Sequence, residues 1–152
     1  MTTIAPETCR QHAALCWRHI GERVEVLLIT SRDTGRWVIP KGWPIKGLSP
    51  SETALQEAYE EAGVEGTASD EHVGQFPYIK VLDDATGVPC LVSVYPVRVA
   101  KLRDKFPERS ERRRKWFRPK KAAQKVDEPE LRDLLRDFTP PRGMDNGDKK
   151  AG

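Results

Sequence analysis

Three glutamates, Glu57, Glu60 and Glu61, fall in a stretch with no Lys or Arg between Leu48 and Gly74. At about 100° of turn per residue, a helix gathers them within an arc of roughly 100° on one side. Like charges at this spacing repel, and a hard divalent cation such as Mg²⁺ relieves the repulsion while keeping waters that phosphate oxygens share. A solvated acidic helix face is the simpler reading of the three residues alone. What precedes them reverses it: Ile39-Pro40-Lys41-Gly42-Trp43-Pro44 reads as a strand end running into a stiff, glycine-containing loop directly ahead of the helix.

The helix is well punctuated. Ser49 caps it, Pro50 suits its first turn, Glu52 completes a capping box, and Gly63 supplies the left-handed residue that ends it. Ala54, Leu55, Ala58, Tyr59 and Ala62 form an apolar arc beside the carboxylates. Upstream, the apolar runs Gln11 to Arg18 and Glu22 to Thr30 predict a hairpin of buried strands, and Trp37-Val38-Ile39 a third strand closed by Pro40. Downstream, Phe76 to Leu82 and Cys90 to Val99 predict a second hairpin, Lys115-Trp116-Phe117 a short strand, and Pro119 to Lys125 and Glu128 to Phe138 two helices. This mixed order predicts an α/β sandwich on a mixed sheet. Residues 1–9 read as a flexible lead, 10–138 as one domain and 139–152 as a disordered tail.

The stretch from Gly42 to Val64 resembles the Nudix box: a glycine, then after fixed gaps Gln56-Glu57-Ala58-Tyr59-Glu60-Glu61-Ala62-Gly63-Val64. Two positions depart from the pattern, Leu48 where a Glu normally stands and Gln56 where an Arg does. The resemblance implies a Nudix-type α/β/α sandwich and hydrolysis of a diphosphate linked to another moiety. It implies Mg²⁺ or Mn²⁺ held by Glu57, Glu60, Glu61 and the Gly42 carbonyl, with the three glutamates carrying the chemistry. Glu57 can accept the proton of an attacking water. Glu108 and Glu111 are further candidates from a later loop, where solvated charge is the simpler reading. Val26 to Ile29, Gly35 to Pro40, Glu61 to Gly66 and Arg112 to Phe117 are similar to the diphosphoinositol polyphosphate and diadenosine polyphosphate branch.

Charge bears on the substrate. The 152 residues total only +3, but Lys101 to Lys121 holds 11 basic residues against Asp104, Glu108 and Glu111, a net of +8 that leaves −5 elsewhere. Guanidinium forks match phosphate, so this segment suits a small molecule carrying several phosphates. Arg112, Arg113 and Arg114 are candidate substrate ligands, with strand alternation turning only some of them to a shared cleft. Arg36, Lys41 and Trp43, flanking the box loop, are others. Nucleic acid is not expected except as an RNA 5′-end substrate. An RNA-end or nucleotide pyrophosphohydrolase is the alternative enzyme, and a non-catalytic Nudix-fold binding module, motivated by Leu48 and Gln56, the alternative of another class. The odd count of cysteines, Cys9, Cys16 and Cys90, without a Cys-x-x-Cys spacing reads as reduced. With no membrane-length apolar run or secretory signal, a cytoplasmic protein is expected. The oligomeric state is left open.

Overall fold

The computed structural model describes residues 9–82 and 84–144. Strands β1 (Arg10–Ile20), β2 (Arg23–Thr30), β3 (Trp37–Val38) and β4 (Lys41–Gly42) precede helix α1 (Pro50–Ala62). Then come β5 (Val64–Ala68), β6 (Gly74–Val81), β7 (Gly87–Leu102), a 3-10 turn at Arg109–Glu111, β8 (Arg114–Phe117), α2 (Pro119–Lys125) and α3 (Pro129–Arg136). The eight strands form one sheet, β3-β2-β1-β7-β5, with β4 also on β1, β6 on β7 and β8 on β2. β1 and β7 run parallel, whereas β1–β2 and β6–β7 are antiparallel, so the sheet is mixed as expected.

Helices cover both faces, which is why the central strands read as unbroken apolar runs. On β1, Ala13, Leu15 and Trp17 join Val26 and Leu28 against α2 and α3, burying Ala122, Ala123, Leu131, Leu135 and Phe138. Ala14 and Cys16 point the other way, with Leu27 and Ile29, onto Ala54, Ala58 and Ala62 of α1. This is an α/β/α sandwich. The punctuation of α1 is realised in full: Glu52 N–H donates to Ser49 Oγ at 3.2 Å, and Ser49 N–H to Glu52 Oε1 at 2.8 Å. Gly63 adopts φ 70° and its N–H donates to the Tyr59 carbonyl at 2.9 Å.

Several elements differ from expectation. β3 stops at Val38, short of Ile39 and Pro40; the Pro40 carbonyl accepts the Ala14 N–H at 2.9 Å and the chain re-enters the sheet as β4, opposite His12 and Ala13. A two-residue strand is too short to leave a periodic signal. β5 follows α1 directly and was not foreseen, because only Val64 in it is buried. Ordered packing also continues past Phe138, with Met144 against the first core; residues 1–8 and 145–152, most of the expected lead and tail, lie outside the described residues.

The reading of all three cysteines as reduced is overturned. Cys9 and Cys90, 81 residues apart, are joined by a disulfide with their Cα atoms 4.6 Å apart, at the paired starts of β1 and the apolar part of β7. Sequence spacing carries no information about a pair brought together by sheet register. Cys16 remains a buried thiol, its pKa raised by burial. Because the disulfide closes a long loop of the unfolded chain, Cys9→Ser should lower unfolding free energy by about 2–4 kcal/mol in urea titrations without reductant. Equal stability of the variant and the oxidised parent would refute that linkage. Among the described residues no helix is long and apolar enough to cross a membrane.

Candidate active site

α1 lays its carboxylates along a cleft of about 470 Å³ whose other walls come from β4 and its following loop, β6 and the loop before β8. One helical turn separates Glu57 from Glu61, so both face the cleft. Gly42 approaches so closely that a Cβ there would collide with the Glu57 carboxyl group. The Lys41 N–H donates to Glu61 Oε1 at 3.4 Å. From the opposite wall Arg112, with only 9% of its side chain exposed, lies 3.6 Å from Glu61 Oε1. The same guanidinium donates to Glu108 Oε1 at 2.7 Å and to the Thr30 carbonyl at 3.2 Å.

This crowding governs protonation. Burial is the largest cause that pushes the Glu61 carboxyl up to about 8; Arg112 opposes it, and a hydrogen bond with Glu57 and the charges of Glu57 and Glu108 reinforce it. Burial also raises Glu57, offset by its hydrogen bond with Glu61. Both carboxyls are thus raised, as expected of two carboxylates that cannot both ionise in a desolvated site, and the pair favours sharing one proton. These are hard oxygen donors facing a cleft beside a position stripped of its side chain, a set that fits a divalent cation in place of the shared proton.

Glu60 is turned elsewhere. Its Oε2 accepts from Gln56 Nε2 at 2.7 Å, and its carbonyl accepts the Glu108 N–H at 3.0 Å, which ties the later loop to α1. Among the described residues no three His, Cys, Asp or Glu side chains converge as a ready metal-binding group, so the three glutamates are not gathered together. Gln56 occupies the place of the family arginine by holding Glu60 through an amide. Leu48 is exposed, away from the cleft.

The basic candidates divide. Lys41 lines the cleft with its ammonium 4.9 Å over the Tyr78 ring, and burial lowers its pKa. Trp43 also lines it, 44% exposed, with the Lys80 ammonium 5.7 Å over its ring. Arg36 instead grips Glu128 at 2.7 Å and lies 3.8 Å from Asp127, tethering the β3 entry to the start of α3. Of the three consecutive arginines only Arg112 enters the cleft. Arg113 turns its guanidinium to the Trp37 ring at 5.8 Å. Arg114 donates to the Ala62 carbonyl at 2.7 Å, giving the C-terminus of α1 the cation its own last turn lacks. Glu108 lines the cleft, whereas Glu111 pairs with Arg32 at 3.2 Å on the exposed rim.

Sequence reasoning missed Gln11, Tyr78 and Lys80. The Tyr78 hydroxyl donates to Gln11 Oε1 at 2.6 Å, and burial pushes Tyr78 up to about 12. Two signals were available: Gln11 is a buried polar residue at the head of an apolar strand, and Tyr78 and Lys80 share one face of β6.

The fold agrees with what this chain is similar to. Nudix hydrolase 21, chloroplastic, from Arabidopsis thaliana is 32% identical over 127 residues, 80% of this chain and 60% of that protein. Diphosphoinositol polyphosphate phosphohydrolase 3-alpha from Mus musculus is 40% identical over 65 residues, 42% of this chain and 40% of that one. The chain thus spans 60% or less of the length of these curated relatives. The crystal structure of C. elegans Ap4A hydrolase has a TM-score of 0.65 at 22% identity, covering 84% of this chain and 93% of the other, a likeness of fold. The NUDIX domain model matches residues 10–138, the whole sandwich from β1 past α3, and the chain therefore belongs to the Nudix family.

Proposed function

We propose that this protein is a divalent-metal-dependent pyrophosphohydrolase that cleaves a phosphoanhydride bond in a small molecule carrying several phosphates. Diphosphoinositol polyphosphates and dinucleoside polyphosphates are the first substrates to consider. The observation that carries this reading is the Glu57–Glu61 carboxylate pair, packed against Gly42 and facing Lys41 and Arg112 in one cleft. Glu57, Glu61 and the Gly42 carbonyl would hold Mg²⁺ or Mn²⁺, with Glu60, now engaged by Gln56, as the third carboxylate proposed for it. When bound, the metal supplies Lewis acidity and neutralises phosphoryl charge.

The chain's own residues do the rest. The Lys41 ammonium forms no ion pair with a carboxylate among the described residues, so a phosphate oxygen can take that role without displacing a partner. Arg112 keeps Glu108 fixed beside the carboxylate pair, and Glu108 is the base we assign to the attacking water. Lys80 and the exposed face of Trp43 form an outer rim for whatever moiety the phosphates join.

A phosphate-release screen with Mg²⁺ or Mn²⁺ across inositol pyrophosphates, dinucleoside polyphosphates, nucleotide sugars and capped RNA tests the proposal. Release from one of the first two groups at the highest kcat/KM is expected. Tight binding without turnover of any compound would leave a ligand-binding module instead, and preference for capped RNA an RNA-end hydrolase. Within the active class, Lys41→Gln should raise KM by about ten- to a hundredfold, the worth of one charge-assisted phosphate contact, and change kcat less. Unaltered KM would remove Lys41 from the substrate's path.

A further inference from the structure

Most of the basic segment is not used by the cleft. Of its 11 cations only Arg112 lines that site, while Arg118, Lys120 and Lys121 border a second cavity of about 650 Å³. Arg23, from the β1–β2 hairpin, and Arg136, from α3, complete its rim, and no carboxylate lines it. Arg136 is compensated by Asp133 at 3.0 Å and Asp137 at 3.2 Å. Among the described residues Arg23, Arg118, Lys120 and Lys121 form no ion pair. Four uncompensated cations from two chain segments thus converge on one hollow, and like charges so arranged repel until an anion enters.

This hollow is independent of the catalytic cleft. It adjoins Val24, which pairs with His19 on β1, whereas the cleft adjoins Gln11. Eight residues of extended strand separate those positions, roughly 26 Å, beyond the reach of one small substrate. The cavity volume is that of a small-molecule site. Its aromatic residue, Phe138, is buried in the first core with 8% exposed, so no exposed ring lines the cavity on which the bases of a single strand can stack.

We propose that the cavity bordered by Arg23, Arg118, Lys120 and Lys121 is a second binding site, for a small molecule bearing several phosphate groups and recognised through those phosphates. Inorganic tripolyphosphate is a suitable probe, titrated calorimetrically into the full chain with EDTA present so that no turnover occurs. Binding that persists in Lys41→Gln and weakens about tenfold or more in Arg118→Gln/Lys121→Gln, and separately in Arg23→Gln, is expected. The side chains replaced are exposed and repel one another, so melting temperatures no lower than the parent's and cleft hydrolysis equal to it should accompany the loss.

Tripolyphosphate affinity unchanged in both rim variants would overturn the proposal. So would abolition of all binding by Lys41→Gln, which would confine phosphate to the cleft. Tighter binding of a single-stranded oligonucleotide than of tripolyphosphate through the same rim residues would replace the small ligand by a nucleic acid. None of these results depends on whether the cleft hydrolyses anything, so failure here and failure of the proposed activity are separable.

Discussion

Replacing Glu61 with Gln is expected to lower phosphate release by roughly a hundredfold to ten-thousandfold, the range lost with a group that manages protons or charge at the reacting centre. The same change should make the metal-free protein more stable at pH 8. Both effects come from one circumstance: a carboxyl group kept in a desolvated place beside Glu57 and Glu108, with Arg112 only partly compensating. Its pKa lies near 8 when folded against 4.5 as its ordinary value. A carboxyl raised in this way contributes stability that is complete below the unfolded value and is lost as pH rises through the folded one. The melting temperature of the metal-free parent should therefore fall between about pH 4.5 and 8, and Glu61→Gln, having no charge to bury, should flatten that slope. Added Mg²⁺ should restore parent stability most at the alkaline end, where the carboxyl is ready to exchange its proton for the cation. Parallel pH–melting curves for parent and variant would show that Glu61 is not the titrating group. Hydrolysis at the parent rate by Glu61→Gln would remove this pair from catalysis.

Legibility in the sequence followed the range over which each feature is decided. α1 was readable to its ends because Ser49, Pro50, Glu52 and Gly63 are local signals whose hydrogen bonds close within one turn. β1, β2 and β7 were readable because burial on both faces leaves continuous apolar runs. β4 and the Cys9–Cys90 link are consequences of register between strands remote in sequence, and no local pattern announces them. In the site, the spacing of the box glutamates was correct for a helix, but which of them meet in the cleft depended on Gln56 drawing Glu60 aside. The arginine run shows the same limit. Alternation says that neighbours diverge, yet that Arg114 caps α1 and Arg113 covers Trp37 is settled by the Ala62 carbonyl and the Trp37 ring, both contributed from other elements. Net charge located a basic segment without revealing that it borders two separate cavities.

Gly42→Ala should act on chemistry and leave folding nearly untouched. Its backbone is not in the left-handed region, so alanine meets no conformational objection. The added Cβ does meet the Glu57 carboxyl group, the far end of a flexible side chain that can swing away at little cost to stability. What it loses in swinging is its position beside Glu61 and the Gly42 carbonyl, and a displacement of about 1 Å in a reacting constellation costs on the order of a hundredfold in rate. The expected result is kcat/KM down about a hundredfold and Mn²⁺ affinity reduced, with a change in unfolding free energy within about 1 kcal/mol. Gly21→Ala gives the opposite signature. That glycine sits at φ 62° in the β1–β2 hairpin, and a Cβ added to it would meet nothing within 4 Å. Alanine there should cost about 1–2 kcal/mol of stability, from the left-handed backbone alone, and leave hydrolysis at the parent rate. The same methyl group thus separates a glycine needed for the space beside a carboxylate from one needed for its dihedral angle. Full activity in Gly42→Ala would mean that Glu57 works from a position other than the one it shares with Glu61, and with it the assignment of the carboxylate pair would fall.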